Sequence, residues 1–389
     1  MNESTFSPGG GRAGTPVRGR SPEGNEAVGS VAVRTFAAHQ SPQTLRTADQ
    51  SMDGHHVNAM AGDGSGAPHN HFADYDELPD GHFYDPDAEY EPDPEYAATL
   101  APDAARQRRE RIGPTGRPLP YFPIPGPLTD HGPATIIAMC NQKGGVGKTT
   151  STINLGAALA EYGRRVLLVD FDPQGALSVG LGVNPMELDL TVYNLLMERG
   201  MSADEVLLKT AVPNMDLLPS NIDLSAAEVQ LVSEVAREST LQRALKPLMD
   251  DYDYIVIDCQ PSLGLLTVNA LTAAHKVIVP LECEFFALRG VALLTETIEK
   301  VQERLNPELE LDGILATMYD SRTVHSREVL ARVVEAFDEH VYHTVIGRTV
   351  RFPETTVAGE PITTYASNSV GAAAYRQLAR EVLARCHAE

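Results

Sequence analysis

The stretch Lys143-Gly144-Gly145-Val146-Gly147-Lys148-Thr149 constrains this chain more than any other feature. It follows a short apolar run, Thr135–Cys140, and opens a helical pattern over Lys148–Tyr162 that Gly163 ends. Glycines at 144, 145 and 147 let the backbone turn tightly, so that consecutive N–H groups can face one point. The positive end of the helix dipole adds to the same point. Such a cradle suits phosphate. Gly144, Gly145, Val146, Gly147, Lys148, Thr149 and Thr150 are therefore the candidate nucleotide-binding residues, with ATP as ligand. Lys148 should bridge the β- and γ-phosphates, and the Thr149 hydroxyl should sit on Mg2+.

Strands and helices alternate from Thr135 onward. Arg165–Val169, Tyr254–Ile257, Lys276–Pro280 and Leu311–Met318 read as further strands. Helical patterns cover Ser225–Leu248, Leu265–Ala274, Gly290–Leu305, Ser326–Phe337 and Ser369–His387. Several strands are continuous Val/Ile/Leu runs, as expected where both faces of a sheet are covered. The fold class is α/β: a mostly parallel twisted sheet flanked by helices over residues 131–389, of the P-loop NTPase type.

Residues 1–130 differ in kind. They contain no lysine, are rich in Gly, Pro, Ser, Ala and Asp, and carry 19 acidic residues against 10 arginines. Too few aliphatic side chains are present to offset ordering entropy, so this part reads as a long disordered arm that moves relative to the folded domain. Within it, Asp74–Glu95 mixes acids with tyrosines, and Arg106, Arg108, Arg109 and Arg111 form a small basic run. His55, His56, His69, His71 and His82 show no fixed metal-ligand spacing. The whole chain has a net charge of −22, which argues against indiscriminate coating of nucleic acid but leaves room for a local basic patch. Four scattered cysteines, no C-x-x-C and no apolar run near a membrane span's length fit a cytoplasmic protein.

Two acidic sites accompany the glycine loop. Asp170-Phe171-Asp172 ends the second strand; carboxylates two apart in extended chain point the same way, toward the ligand crevice of a parallel sheet. Tyr254-Ile-Val-Ile-Asp258 is four apolar residues and then an acid, so Asp258 should hold the magnesium shell.

The loop departs from the usual G-x-x-x-x-G-K-T spacing: Gln142 stands where glycine is expected, and Lys143 precedes the glycine pair. This K-G-G-x-G-K-T form resembles the deviant Walker A loop of the ParA/MinD group of ATPases. Further segments strengthen the likeness to ParA, among them Pro219–Leu224, Asp258–Leu271, Pro280–Leu288, Thr317–Arg322 and Val350–Ile362. One departure is Gln260, where the family's D-C-P-P-S-L-G carries proline.

The resemblance implies a partition ATPase. It would form a homodimer when ATP-bound, bind DNA without sequence preference, and hydrolyse ATP slowly until a ParB-like partner stimulates it. Lys143 would reach the partner subunit's ATP, Asp172 would position the attacking water, and Asp170 would lie near Mg2+ with Thr149 and Asp258. Lys143, Lys148 and Asp172 are thus the candidate catalytic set. Arg322, Arg327 and Arg332, on or near one helix, and Arg348 and Arg351, in a nearby loop, are the candidate DNA contacts, which would make the protein nucleoid-associated. Phe285-Phe286 could line the adenine edge or belong to the core.

Four other readings compete. They are an orphan paralogue with another partner, a MinD-like membrane-cycling regulator, an ATP-dependent synthase of the dethiobiotin or cobyrinic acid type, and an iron–sulfur electron carrier. The final helix has few apolar positions for membrane binding. Cys140 and Cys259 lie in or at the ends of strands, and no substrate domain is visible.

Overall fold

The structure is a computed structural model that describes residues 111–284 and 287–386, all within the unit Asp74–Glu389. The arm's acidic segment, its histidines, Arg106, Arg108 and Arg109, and the Phe285-Phe286 pair lie outside the described residues.

The elements follow one another as β1 (Thr135–Met139), α1 (Lys148–Glu161), β2 (Val166–Phe171), α2 (Ala176–Gly180), α3 (Val192–Met197), α4 (Ala203–Val206), β3 (Leu208–Lys209) and β4 (Met215–Leu218). Then come α5 (Leu224–Gln230), α6 (Thr240–Leu245), β5 (Tyr254–Cys259), α7 (Leu265–Ala273), β6 (Lys276–Glu282), α8 (Ala287–Arg304) and β7 (Glu310–Thr317). The chain closes with α9 (Val324–Phe337), α10 (Arg351–Ala358), α11 (Ile362–Tyr365) and α12 (Val370–Cys386).

The described strands form a seven-stranded sheet in the order β3-β4-β2-β5-β1-β6-β7. Its pairings are parallel except for the edge pair β3–β4. Side chains alternate between its faces. Ile136, Ala138, Leu167, Val169, Ile255 and Ile257 pack under α3, α5, α6, α7, α8 and α9. Ile137, Met139, Val166, Leu168, Tyr254 and Val256 pack under α1, α11 and α12. Every residue of β2 and β5 is buried, which explains why their sequences read as unbroken apolar runs up to the terminal acid.

The final helix lies on α1: Tyr375, Leu378, Val382 and Leu383 are buried there, and the Tyr375 hydroxyl is 3.1 Å from Ser151 Oγ. Its apolar side is spent on the core. Among the described residues no helix is long and apolar enough to cross a membrane.

The last residues of the 1–130 segment, 111–130, are described and lie against the domain rather than apart from it. Arg117 donates to the carbonyls of Asp338 and Val341, and Arg164 donates to that of Gly126 at 2.8 Å. Next to them, His131 Nδ1 is 2.9 Å from Asp253 Oδ2. These are long-range side-chain bonds in a segment without hydrophobic period, so composition alone assigned it to the arm.

Candidate nucleotide site

β1 is central, between β5 and β6, and its C-terminal end delivers the chain into the glycine loop. Gly145 and Gly147 hold φ of 74° and 83°, in the left-handed region that favours glycine. Gly147 is the N-cap of α1 and has no capping side chain, so the first amides of α1 are left for a ligand. Two side chains fix the loop from outside. Thr317, at the end of β7, donates to the carbonyl of Val146 at 2.9 Å. Asn141 accepts from the Lys143 amide at 2.9 Å while donating to the Pro280 carbonyl at 2.7 Å.

Lys148 is buried, and its Nζ donates to the Lys143 carbonyl at 3.2 Å, so the ammonium lies across the loop. Thr149 Oγ1 donates to Asp258 Oδ2 at 2.7 Å. The loop threonine and the β5 acid, 109 residues apart in sequence, therefore meet at one place. Asp170 stands beside Asp258 in the β2–β5 register. Both carboxylates are fully buried. Burial pushes Asp170 up to about 7, and burial together with the neighbouring Asp170 charge pushes Asp258 up to about 8. A half-buried hydroxyl and a buried carboxylate with a second acid alongside suit a hard cation such as Mg2+. No group of three His, Cys, Asp or Glu forms a closed cage among the described residues.

Asp170 is placed near this point but is not open toward it. Its Oδ2 accepts from the Ser178 amide at 2.8 Å and from Ser178 Oγ at 2.7 Å. Its link to the site is electrostatic, through its effect on Asp258. Asp172, half-buried beyond the strand end, accepts from the Gln174 amide at 3.0 Å. Thr150 lines a cavity of about 360 Å3 beside Gly147, whose walls include Thr317, Ile346, Phe352, Pro353 and Tyr375. This cavity offers an apolar slot in which Ile346 and Tyr375 join residues of the Thr317–Arg322 and Val350–Ile362 segments.

Lys143 behaves differently from Lys148. It points outward, with 47% of its side chain exposed, and its Nζ contacts Glu282 at 3.0 Å and Glu284 at 2.5 Å. The bond to Glu284 holds its pKa above the ordinary lysine value. Neither glutamate had been given a role, although both belong to the Pro280–Leu288 segment.

The five candidate DNA arginines are all exposed. Arg322 and Arg348 gather round Tyr319 and Asp320: Arg322 Nε is 3.0 Å from Asp320 Oδ1, and the Arg348 amide donates to the Tyr319 carbonyl at 3.1 Å. Arg348 also lies 3.4 Å from Glu282. Arg327 and Arg332 are on α9. Arg351 is not in a loop: it opens α10 and pairs with Glu354 at 3.0 Å.

Strand, left-handed glycine loop, helix N-terminus, inward lysine and strand-end aspartate on the loop threonine together define a P-loop nucleotide-binding protein. Residues 134–311 match the AAA domain family. An uncharacterized protein of Mycobacterium tuberculosis is 69% identical over 274 residues, 70% of this chain and 86% of that protein. The sporulation initiation inhibitor protein Soj of Bacillus subtilis is 48% identical over 249 residues, 64% of this chain and 98% of Soj. Among solved structures, cobyrinic acid a,c-diamide synthase from Mycobacterium smegmatis with bound ADP and magnesium is 45% identical, with a TM-score of 0.59, covering 66% of this chain and 96% of that one. The chain belongs to the ParA/Soj family of chromosome-partitioning ATPases.

Proposed function

We propose that this chain is an ATP-driven partition switch. ATP and Mg2+ bind at the glycine loop, two subunits associate across the bound nucleotide, the dimer holds DNA without sequence preference, and a ParB-like partner triggers hydrolysis. The observation that carries this reading is the contrast between the two loop lysines. Lys148 is buried across the cradle, where its charge serves the subunit's own phosphates. Lys143 faces outward on a surface ion pair that water screens, so it can leave Glu282 and Glu284 at little cost for a facing subunit's phosphate.

The roles follow from placement. Lys148 and the amides of Gly144 to Thr150 hold the phosphates. Thr149 and Asp258 hold Mg2+, with Asp170 adding negative charge behind them. When bound, the metal neutralises charge on the phosphate oxygens. Asp172 orients the attacking water, and the apolar slot at Phe352 and Tyr375 receives the base. Arg322, Arg327, Arg332, Arg348 and Arg351 supply phosphate contacts to DNA, which would place the protein on the nucleoid.

A second reading, an ATP-dependent synthase, is favoured by the M. smegmatis likeness. A gel shift on random duplex DNA separates the two. The switch gains DNA affinity with ATP and Mg2+ at low salt; a synthase gains none, and would instead consume ATP when offered cobyrinic acid and an amide donor.

A further inference from the structure

Gln260 is the one residue in the loop after Asp258 that departs from the pattern the chain otherwise follows, and its side chain is engaged. Gln260 Nε2 donates to Glu228 Oε1, on α5, at 2.9 Å. The same carboxylate oxygen lies against Gly264, the N-cap of α7, so closely that a side chain at 264 would collide with it. Glu228 thus ties α5 to both ends of the five-residue loop 260–264.

The loop touches the nucleotide site on its other side. Pro261 is the neighbour a methyl on Gly144 would meet, at 3.9 Å. Within the loop the Ser262 amide donates to the Gln260 carbonyl at 2.9 Å, and Thr267 Oγ1 of α7 donates to the Ser262 carbonyl at 2.7 Å. One flank is therefore held by α7 and the other by Glu228. The approach to α5 is tied to the second acidic strand as well: the Ser220 amide donates to Ser178 Oγ at 3.2 Å, and Ser178 Oγ donates to Asp170 Oδ2 at 2.7 Å. α5 is thus joined to the loop after Asp258, and the segment leading into α5 is joined through α2 to Asp170.

We infer that Glu228 and Gln260 are positioning residues: their hydrogen bond clamps the loop after Asp258 against α5, and so sets Pro261 on the phosphate loop and Asp258 on Thr149. Proline at 260 would lack this donor. Neither residue touches the reacting atoms. Their effect is on registration, where a shift of a fraction of an ångström matters to rate. The inference rests on Asp258 as the magnesium-holding residue.

The test is steady-state ATP turnover of the full chain, titrated with ATP and separately with Mg2+. Gln260→Ala and Glu228→Ala should each lower kcat about fivefold, the size of one lost hydrogen bond. Both should raise the Mg2+ needed for half-maximal rate, while the KM for ATP stays within about twofold. The double variant should be no worse than either single one. Glu228→Gln, whose amide oxygen still accepts the bond, should behave as wild type, and Gln260→Asn, too short to reach, should behave as Gln260→Ala. The clamp is overturned if the two losses multiply, if kcat and Mg2+ demand are unchanged, or if Glu228→Gln is as damaging as Glu228→Ala. Should an alanine variant unfold in a thermal melt, Gln260→Asn and Glu228→Gln carry the test. Asp258→Asn is the control. If it leaves the Mg2+ demand untouched, the reading of the site fails; if it abolishes turnover while the clamp variants match wild type, the clamp alone fails.

Discussion

The nucleotide site and the arginine surface are built from opposite materials. At the first, backbone geometry and burial leave few alternatives: two left-handed glycines, a helix N-terminus, and carboxylates with no access to water. At the second, every candidate side chain is exposed, and Arg322, Arg348 and Arg351 each lie beside an acid. Interactions of the first kind are strong because the medium is fixed and dry. Those of the second are individually weak, screened by salt, and additive only in number. Substitutions should therefore act abruptly at the site and gradually on the surface.

The largest effect expected is at Lys148. Lys148→Ala removes the cation lying across the cradle and should lower ATP turnover at least about 100-fold, with nucleotide affinity falling too. Phosphate release and fluorescent-nucleotide titration measure the two losses. A variant with turnover near wild type would erase the contrast at its strongest point.

Lys143→Ala comes next and sharpens it, because this lysine shares the loop but not the burial. ATP affinity should stay within about threefold, since an exposed ion pair contributes little. The ATP-dependent dimer should be lost in light scattering. Persistence of that dimer would assign Lys143 to the surface class.

A smaller effect concerns pH. In the folded state Asp170 and Asp258 titrate near 7 and 8, against an ordinary 3.8. The folded chain therefore binds more protons than the unfolded one across this window. That makes the stabilising contribution full below about 4, declining as pH rises and gone above about 8. The melting temperature of the metal- and nucleotide-free protein should fall between pH 5.5 and pH 8.5 by roughly several degrees. Asp258→Asn should flatten the slope, and Mg2+ with ADP should reverse part of it. A melting temperature that rises with pH would mean that neither buried acid carries the shift.

What the sequence made legible follows the same division. The glycine loop, Asp170, Asp172 and Asp258 could be read because each sits at a strand end whose apolar run announces it, and the parallel order β2-β5-β1 then brings them together. The partners of these residues could not. Ser178 on Asp170, Glu282 and Glu284 on Lys143, and Glu228 on Gln260 are polar contacts between distant segments that leave no period in the chain. β4 was missed for a related reason. Its Asp216 interrupts a short apolar run, and only the fold supplies Lys209 at 2.7 Å and the Tyr252 hydroxyl at 2.7 Å to make it tolerable there. Ser225–Leu248 reads as one or two helices, whereas α5 and α6 are short and separated by 3-10 turns and a left-handed Ala236.

The smallest effects belong to the arginines, and differences among them probe the surface itself. Arg332 has no acidic partner among the described residues, whereas Arg351 is already paired with Glu354. A phosphate contact by Arg332 releases a counterion without first breaking a pair, so Arg332→Ala should weaken ATP-dependent DNA binding about threefold and reduce the salt slope by about one. Arg351→Ala should do less, because the guanidinium's gain from phosphate is offset by the Glu354 contact it gives up. Binding isotherms on random duplex DNA at three salt concentrations would separate the two. If Arg351 proves the more damaging, then α10 rather than α9 faces the duplex, and the pair with Glu354 orients the arginine toward DNA instead of competing for it.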